Sequence, residues 1–179
     1  MATPRKTEKA VFFVGVLAAG REELALACRS LADEFGPPHR CSLPLPFDNT
    51  GYYRDELGPS PIRVFLAFPG LFPTDGLAET KLASNRLEQE LAQTIAGPWP
   101  RPVNLDPGYL TLAKLVLASA KNFAHRIHLS NGIYAEITLQ YRSGIGFQPL
   151  PWTFPDYASG RYDDFFLDLR KELAHSLSK

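Results

Sequence analysis

The sequence predicts an α+β fold. A ferredoxin-like strand-helix-strand-strand-helix-strand core is extended by a helix, a C-terminal β-hairpin and a final helix. Two apolar runs, at residues 11–17 and 62–68, are rich in valine and phenylalanine, as buried strands are. Apolar residues recur at helical spacing after each run, and an Asn131-Gly132 turn separates two further strand-like runs.

The first half of the chain supplies the predicted core. The first helix ends at Gly36, while the second is capped by Thr74 and ends at Gly97. Short strands within residues 43–53 and at residues 103–105 complete the ferredoxin-like order.

A further helix is predicted after residue 105. Asp106 caps it, and Pro107 takes the first helical position, where its missing N–H costs nothing. The body, residues 110–120, is apolar almost all round and must be mostly buried. At 100° per residue, Lys114 and Lys121 share the narrow polar edge.

Residues 125–129 and 133–141 predict a hairpin. A two-residue loop would mix apolar and polar side chains on each face, whereas a three-residue loop, 130–132, pairs Leu129 with Ile133 and leaves one face apolar. The three-residue loop is therefore the predicted one. The other face then carries Arg126, His128, Tyr134, Glu136, Thr138 and Gln140. A Pro/aromatic segment and an amphipathic helix between Tyr162 and Leu177 follow.

Length and charge limit the classes of protein. The length of 179 residues predicts one domain at residues 10–179, which follows a disordered tail at residues 1–9. The formal net charge of zero argues against a protein that binds nucleic acid or anionic membrane mainly through its overall electrostatic field. Residues 101–142 nevertheless hold a formal surplus of three positive charges. Two cysteines are too few for a disulfide framework, so a cytoplasmic location is expected.

One alternative concerns the N-terminus. Arg5, Lys6 and Lys9 precede an apolar run, as in a signal peptide, but the valine and phenylalanine content of that run favours a strand. No other hydrophobic stretch is long enough to span a bilayer.

Familiar catalytic motifs fail here. Gly15 to Glu22 has the glycine spacing of a phosphate-binding loop, but Arg21 stands where the lysine should be, Glu22 replaces the hydroxyl residue, and Gly15 looks embedded in the strand. His125 and His128 lie on opposite faces of a strand, so this pair cannot share one metal ion. A lone histidine with carboxylates could still join a magnesium or manganese site, but no spacing demands one, so no metal ligand is assigned and the cofactor is unknown.

The strongest constellation is cationic. Lys114 and Lys121 run towards Asn122, His125 and Arg126, which could hold a phosphate or carboxylate through charge-assisted bonds. His125 or His128, with Glu136, could transfer protons. The competing interpretation is a solvated edge with an Arg126–Glu136 ion pair, and for Asp106 a simple helix cap.

Two aromatic and acidic loops, residues 47–53 and 152–157, could wall a pocket or stack bases. They could equally seal the core as aromatic plugs.

Several motifs in the second half of the chain occur together: Val103 to Ala118, Lys121-Asn122, His125-Arg126-Ile127, Gly132 to Glu136 and Pro151 to Tyr157. With these motifs the chain closely resembles the bacterial domain-of-unknown-function family 4416. Pro46-Phe47-Asp48, Thr50, Tyr52-Tyr53, Lys81 and Asn85 also fit its pattern, so that the resemblance covers about residues 9 to 170. It implies that the polar motif residues cluster, and it assigns no catalytic role. Some similar proteins are labelled GTP-binding, but the failed phosphate-loop match gives that label no mechanism.

Two functions follow as hypotheses. The first is a protein, either a binder or an enzyme, that holds a small phosphorylated or carboxylated molecule; the second is a non-enzymatic module that binds RNA or protein through the polar hairpin face and the aromatic loops. A concave pocket favours the first, and a flat surface favours the second. The first hypothesis assigns catalysis to His125, His128 and Glu136, and ligand binding to Lys114, Lys121, Asn122, Arg126, Tyr134, Asp106, Asp156 and Asp48.

Overall fold

A computed structural model describes residue 3, residues 7–48 and residues 53–178. The strands of these residues are β1 (Lys9–Ala18), β2 (Arg40–Cys41), β3 (Leu45–Pro46), β4 (Ile62–Ala67), β5 (Phe72–Pro73), β6 (Val103–Leu110), β7 (Lys114–Ser119), β8 (Ile127–Ser130), β9 (Ile133–Arg142) and β10 (Gly146–Pro149). The α-helices are α1 (Arg21–Phe35), α2 (Arg54–Leu57), α3 (Leu77–Thr94), α4 (Pro155–Ala158) and α5 (Asp163–Leu177), and a 3-10 turn spans Thr74–Gly76.

The strands form one antiparallel sheet in the order β10-β9-β7-β6-β1-β4-β2. Strands β3, β5 and β8 pair with β4, β1 and β9 at its margins. The mixed α+β class predicted from the sequence is confirmed.

Both faces of the sheet are covered by helices. Along β1, Phe12 and Val14 pack with Leu31 of α1 and with α3, while Phe13 packs with Phe166 of α5 on the opposite face. Because successive strand residues point to opposite faces, a strand between two helical layers is apolar throughout. The central strands therefore read as continuous hydrophobic runs.

Several predicted elements are confirmed. The run at residues 11–17 lies in β1, that at 62–68 supplies β4, and the helices predicted before Gly36 and after Tyr162 are α1 and α5. Thr74 does not cap α3, which begins at Leu77 after the 3-10 turn. Gly15 lies within β1, so the phosphate-loop interpretation fails structurally as well.

The helix predicted over residues 106–120 is wrong. Asp106 and Pro107 lie inside β6 and cap nothing, and Lys114 and Lys121 are not neighbours on a helix, because β7 begins at Lys114. The segment is an antiparallel hairpin buried by helices on both sides, and such a hairpin has the all-round apolar composition of a buried helix.

Pro107 is compatible with a strand because of how β6 is oriented. Leu105 donates its N–H to Glu88 Oε1 (2.8 Å), and its carbonyl accepts from Lys81 Nζ (2.7 Å), so its polar backbone groups point away from β1. By strand alternation the nitrogen of Pro107 points the same way. The β6–β7 pairing does not extend to Pro107, since it covers only Gly108 to Leu110. The missing N–H of Pro107 therefore removes no hydrogen bond from the sheet.

The C-terminal hairpin forms, with a different loop. His128 pairs with Tyr134 and Ile127 pairs with Ala135, as predicted, but Ser130 rather than Leu129 pairs with Ile133. A bulge at Leu129 allows a two-residue turn in which Asn131 and Gly132 have φ values of 51° and 73°. The three-residue loop is therefore wrong.

Residues 1, 2, 4–6 and 49–52, which include parts of the predicted tail and of the first aromatic loop, lie outside the described residues. None of the described helices combines the length and the apolar character needed to cross a membrane.

Candidate functional site

The candidate site is a cavity of about 400 Å³ where β6 and β7 separate. The two strands pair only from Gly108 to Leu110, so the earlier half of β6 and the end of β7 leave an opening. α3 closes it on one side, and the segment from Trp152 to Tyr157 closes it on the other. The polar side chains that line the cavity are those of Tyr53, Arg63, Lys81, Asn85, Arg101, Asn104, Asp106, Ser119, Lys121, His125, Arg126, Glu136, Trp152, Asp156 and Tyr157.

The floor of the cavity is organised by Arg63, whose side chain is 2% exposed. Its guanidinium donates to Asp106 Oδ2 (3.0 Å) and to Asp156 Oδ2 (3.3 Å). Tyr162 also donates to Asp156 Oδ2 (3.2 Å). Arg63, Asp106, Asp156, Tyr157 and Tyr162 are called the floor cluster below.

Glycine at position 15 allows this arrangement. β1 lies between β4 and β6, and Gly15 pairs with Phe65 on one side and with Asp106 on the other. A Cβ at this position would lie 3.2 Å from Nη1 of Arg63 and 3.3 Å from the hydroxyl of Tyr157. The bare backbone of β1 therefore leaves the guanidinium room to reach Asp106 across the central strand.

Three atoms of the floor cluster are buried and have no hydrogen-bond partner among the described residues. They are Arg63 Nε, Asp156 Oδ1 and the Tyr157 hydroxyl. A buried polar group without a partner costs about 1–3 kcal/mol of stability. Such a concentration in one cavity indicates a site shaped for polar groups rather than for core packing.

The two carboxyl groups of the floor cluster have pKa values displaced in opposite directions. Burial raises the pKa of Asp156, and this effect outweighs the attraction of Arg63. Burial also acts on Asp106, but the charges of Arg63 and Lys81 and the bonds from Arg63 and Asn104 bring its pKa below the ordinary value. Carboxyl groups whose pKa values are shifted in this way are typical of binding and catalytic sites, and they also occur in structural ion-pair networks.

A polar chain connects the floor to α3. Asn104 donates to Asp106 Oδ2 (2.8 Å) and accepts from Arg101, which also contacts Glu88 Oε2 (2.8 Å). Glu88 in turn binds the backbone of β6. Partly buried carboxylates and the Arg101 guanidinium thus hold the free edge of β6 in place.

The opposite side of the cavity is a hairpin wall formed by His125, Arg126 and Glu136. Glu136 Oε2 accepts from Arg126 Nε (2.7 Å) and lies 3.1 Å from His125 Nε2. Arg126 also donates to Ser119 Oγ (2.6 Å) and to the carbonyl of Lys121 (2.9 Å). The predicted Arg126–Glu136 ion pair is present, and it lies within the cavity lining.

Six of the residues proposed from the sequence line the cavity: Asp106, Lys121, His125, Arg126, Glu136 and Asp156. These six residues belong to β6, β9, α4 and the loop after β7, so the fold brings together residues that are distant in the sequence.

The other five do not line it. Lys114 starts β7 at the end away from the opening and pairs with Gln140. His128 and Tyr134 form an edge-on ring contact on β8 and β9, Asn122 is exposed after β7, and Asp48 binds Arg161 (2.5 Å).

The sequence reasoning gave no site role to four polar lining residues, Arg63, Arg101, Asn104 and Ser119, whereas Tyr157 belongs to the loop at residues 152–157 that was expected to wall a pocket or seal the core. Arg63 offered the clearest signal, because a charged residue in a strand as apolar as β4 must be paired when it is buried. Lys81 and Asn85 were noted only as part of the family pattern. The described residues include no group of three or more His, Cys, Asp or Glu side chains placed to hold a metal ion.

The comparison with protein families gives a match over most of the chain. The model of a family described as a domain of unknown function, DUF4416, matches residues 8–173. Comparisons with the curated proteins and with the solved structures give no significant match.

Proposed function

We propose that this chain, which belongs to the DUF4416 family, binds a small phosphorylated or carboxylated molecule in the cavity between β6 and β7. The single observation that carries the proposal is the concave lining. Five basic side chains, those of Arg63, Lys81, Arg101, Lys121 and Arg126, meet there against three acidic ones, those of Asp106, Glu136 and Asp156. Concave sites with a few convergent polar groups are typical of small-molecule binding.

The shape of the site favours the first of the two hypotheses. A flat basic and aromatic surface would favour an RNA- or protein-binding module, whereas Lys121, Arg126 and Glu136 share a cavity. Its volume of about 400 Å³ falls within the usual range for small-molecule pockets, about 300–1,000 Å³. The geometry therefore supports the small ligand over the macromolecule.

The formal surplus of positive charge favours an anion. Burial raises the pKa of the Asp156 carboxyl, because it disfavours the negatively charged form. Arg63, Arg101 and Arg126 already bind protein carboxylates, so an incoming phosphate or carboxylate would share their remaining N–H groups. Lys121 adds an ammonium group at the same lining.

The test is a thermal-shift screen against inorganic phosphate, sugar phosphates, dicarboxylates, nucleotides and a single-stranded RNA oligonucleotide. A ligand at a hundred times its dissociation constant adds about 2.7 kcal/mol of stability, and for a chain of this size each kcal/mol raises Tm by about 2–4 °C. A small anion should therefore raise Tm by roughly 5–10 °C.

Two lysine variants make the screen specific. Lys121→Ala removes a cation from the cavity and should lower the affinity for the anion at least roughly tenfold, because hydrogen bonds to charged groups contribute about 1.5–3 kcal/mol. Lys114→Ala removes the same charge outside the cavity and should bind as wild type. Equal responses of both variants, or stabilisation by RNA alone, would contradict the proposal.

Two finer assignments are also proposals. The strand order β6-β1-β4-β2, with α1 and α3 packed on the same face, supports a ferredoxin-like core. A cytoplasmic location is supported by the free cysteines Cys28 and Cys41. Fractionation of expressing cells would test the location.

A further inference from the structure

The ring of His125 is held between two aromatic side chains. Its ring is parallel to those of Phe123 and Trp152, with interplanar angles of 2° and 7° and centroid distances of 5.9 Å and 5.2 Å. Trp152 is itself fixed, since its indole N–H donates to the carbonyl of Ile137 (2.9 Å). The imidazole therefore has a defined orientation at the edge of the cavity.

Glu136 selects which nitrogen of His125 carries the proton. The Glu136 carboxylate, 7% exposed, binds Arg126 Nε through the same oxygen that lies 3.1 Å from His125 Nε2, and its other oxygen accepts from Thr138 Oγ1 (3.3 Å). A carboxylate held by a guanidinium only accepts hydrogen bonds, so Nε2 must be the donor. In the neutral ring the lone pair is then on Nδ1, which has no hydrogen-bond partner among the described residues.

We propose that His125 is a general base, and that the cavity carries out proton transfer on a hydroxyl-bearing phosphorylated or carboxylated ligand. In the proposed step the ligand O–H bond breaks, its electron pair stays on the ligand oxygen, and the proton forms an N–H bond at Nδ1. Glu136 is a positioning residue, which stabilises the resulting imidazolium as a carboxylate does in a Ser-His-Asp triad. This inference rests on the proposed function, because the ligand must bind in the same cavity.

The first test needs no ligand. ¹⁵N NMR of the full chain labelled at histidine reports the tautomer of each of the four imidazoles. His125 should exist as the Nε2–H tautomer, with Nδ1 unprotonated. His128, whose ring makes an edge-on contact with Tyr134, serves as the internal control. A His125 that carries its proton on Nδ1 would overturn the inference.

The near-isosteric Glu136→Gln variant tests positioning. An amide can donate as well as accept, so the single tautomer should become a mixture while the spectrum of His128 stays unchanged. A spectrum of His125 identical to wild type would show that Glu136 does not set the tautomer, and would overturn its role. If the variant fails to fold, the wild-type tautomer still decides the inference.

Chemical modification tests whether Nδ1 meets the ligand. Diethyl pyrocarbonate acylates unprotonated imidazole nitrogen, and inorganic phosphate should slow its reaction with His125 but not with the exposed His39, His128 and His175. If the rates were equal with and without phosphate, at a phosphate concentration that stabilises the protein, the role of His125 would be overturned while the proposed function would stand. The predicted tautomer in a protein that no anion stabilises would instead defeat the proposed function.

Discussion

Arg63 joins two carboxylates that reach it from different parts of the chain. Asp106 is 43 positions away and Asp156 is 93 positions away, yet both bind the same guanidinium beneath the cavity. Burying such charges is expensive, and the expense is tolerable only while each charge keeps its partner. The floor cluster should therefore be sensitive to the loss of any one of its charges.

Replacing Arg63 with methionine tests this sensitivity. Methionine fills much of the same space, but Asp106 and Asp156 lose their shared cation, and removing one partner of a buried ion pair costs about 3–5 kcal/mol. Urea denaturation should show a loss of that size. Arg86→Met is the matched control, because Arg86 binds Glu34 at an exposed position, where a pair is worth about 0–1 kcal/mol. Similar losses in both variants would argue against a special role for Arg63.

Asp156 should make stability depend on pH. Its pKa is raised above the ordinary value of 3.8, mainly by burial, so the folded protein binds more protons than the unfolded chain between the two values. Stability from this group is fully present below its unfolded pKa and is lost as pH rises through the folded pKa. The unfolding free energy of wild type minus that of Asp156→Asn should therefore fall as pH rises through that window.

Asp106 gives the opposite sign and serves as the control. Arg63 and Lys81 lower its pKa despite burial, so its contribution is present above the unfolded pKa and lost as pH falls through the folded pKa. The difference between wild type and Asp106→Asn should rise with pH. Slopes of the same sign for the two asparagine variants would refute the opposed shifts.

At the scale of elements, the meeting of β6 and β7 creates the opening. Gly108 is the first residue of β6 that pairs with β7, and a Cβ there would lie 2.5 Å from the carbonyl oxygen of Val116 and 2.8 Å from the ring of Phe13. Backbone atoms cannot move aside as a flexible side chain can. Glycine at this position therefore lets the strands approach at the point where their pairing begins.

Gly108→Ala should be destabilising for this reason. Overpacking a well-filled site typically costs about 1–3 kcal/mol, and here the nearest atom belongs to the sheet backbone. Gly97→Ala is the matched control, because a Cβ at Gly97 has nothing within 4 Å. Thermal denaturation should separate the two variants by about 2–12 °C. No difference between them would mean that the strands are not so tightly apposed.

The same strands mark where sequence reasoning stopped working. β1 and β4 could be predicted because their short apolar runs are rich in valine and phenylalanine, and α1 and α5 because their apolar residues recur at helical spacing. β6 and β7 could not be, because helices on both faces remove the alternation that identifies a strand, and Asp106-Pro107 imitates the start of a helix. Only tertiary contacts, such as those from Lys81 and Glu88 to Leu105, explain why a proline fits there.

The candidate site was predictable to the extent that it is local. His125, Arg126 and Glu136 lie within twelve positions of one another on the hairpin, so a cross-strand argument brings them together. Arg63 and Tyr157 join them only because β4 lies two strands from β6 and because α4 packs over that face. No local pattern could supply such a relation.

At the scale of the whole molecule, β1 is shared by the two helical layers. Phe12 and Val14 belong to the core under α1 and α3, while Val11 and Phe13 belong to the core under α5. Separating either layer would expose one face of the same strand. The cavity is lined by residues of α3 and α4, so its geometry also depends on both layers remaining in place.

A shared central strand predicts that residues 10–179 unfold as one cooperative unit. The chain has two tryptophans: Trp99, whose ring lies over Gly58, and Trp152, whose indole binds Ile137 of β9. Trp99→Phe and Trp152→Phe each leave one fluorescent reporter, at different places in the fold. In urea, the fluorescence midpoint of each variant should coincide with its own far-UV circular dichroism midpoint, as two-state unfolding requires. If Trp152 reported its transition at a lower urea concentration than the circular dichroism of the same variant, the hairpin wall would unfold separately from the core. The cavity would then be formed by two independent units rather than by one.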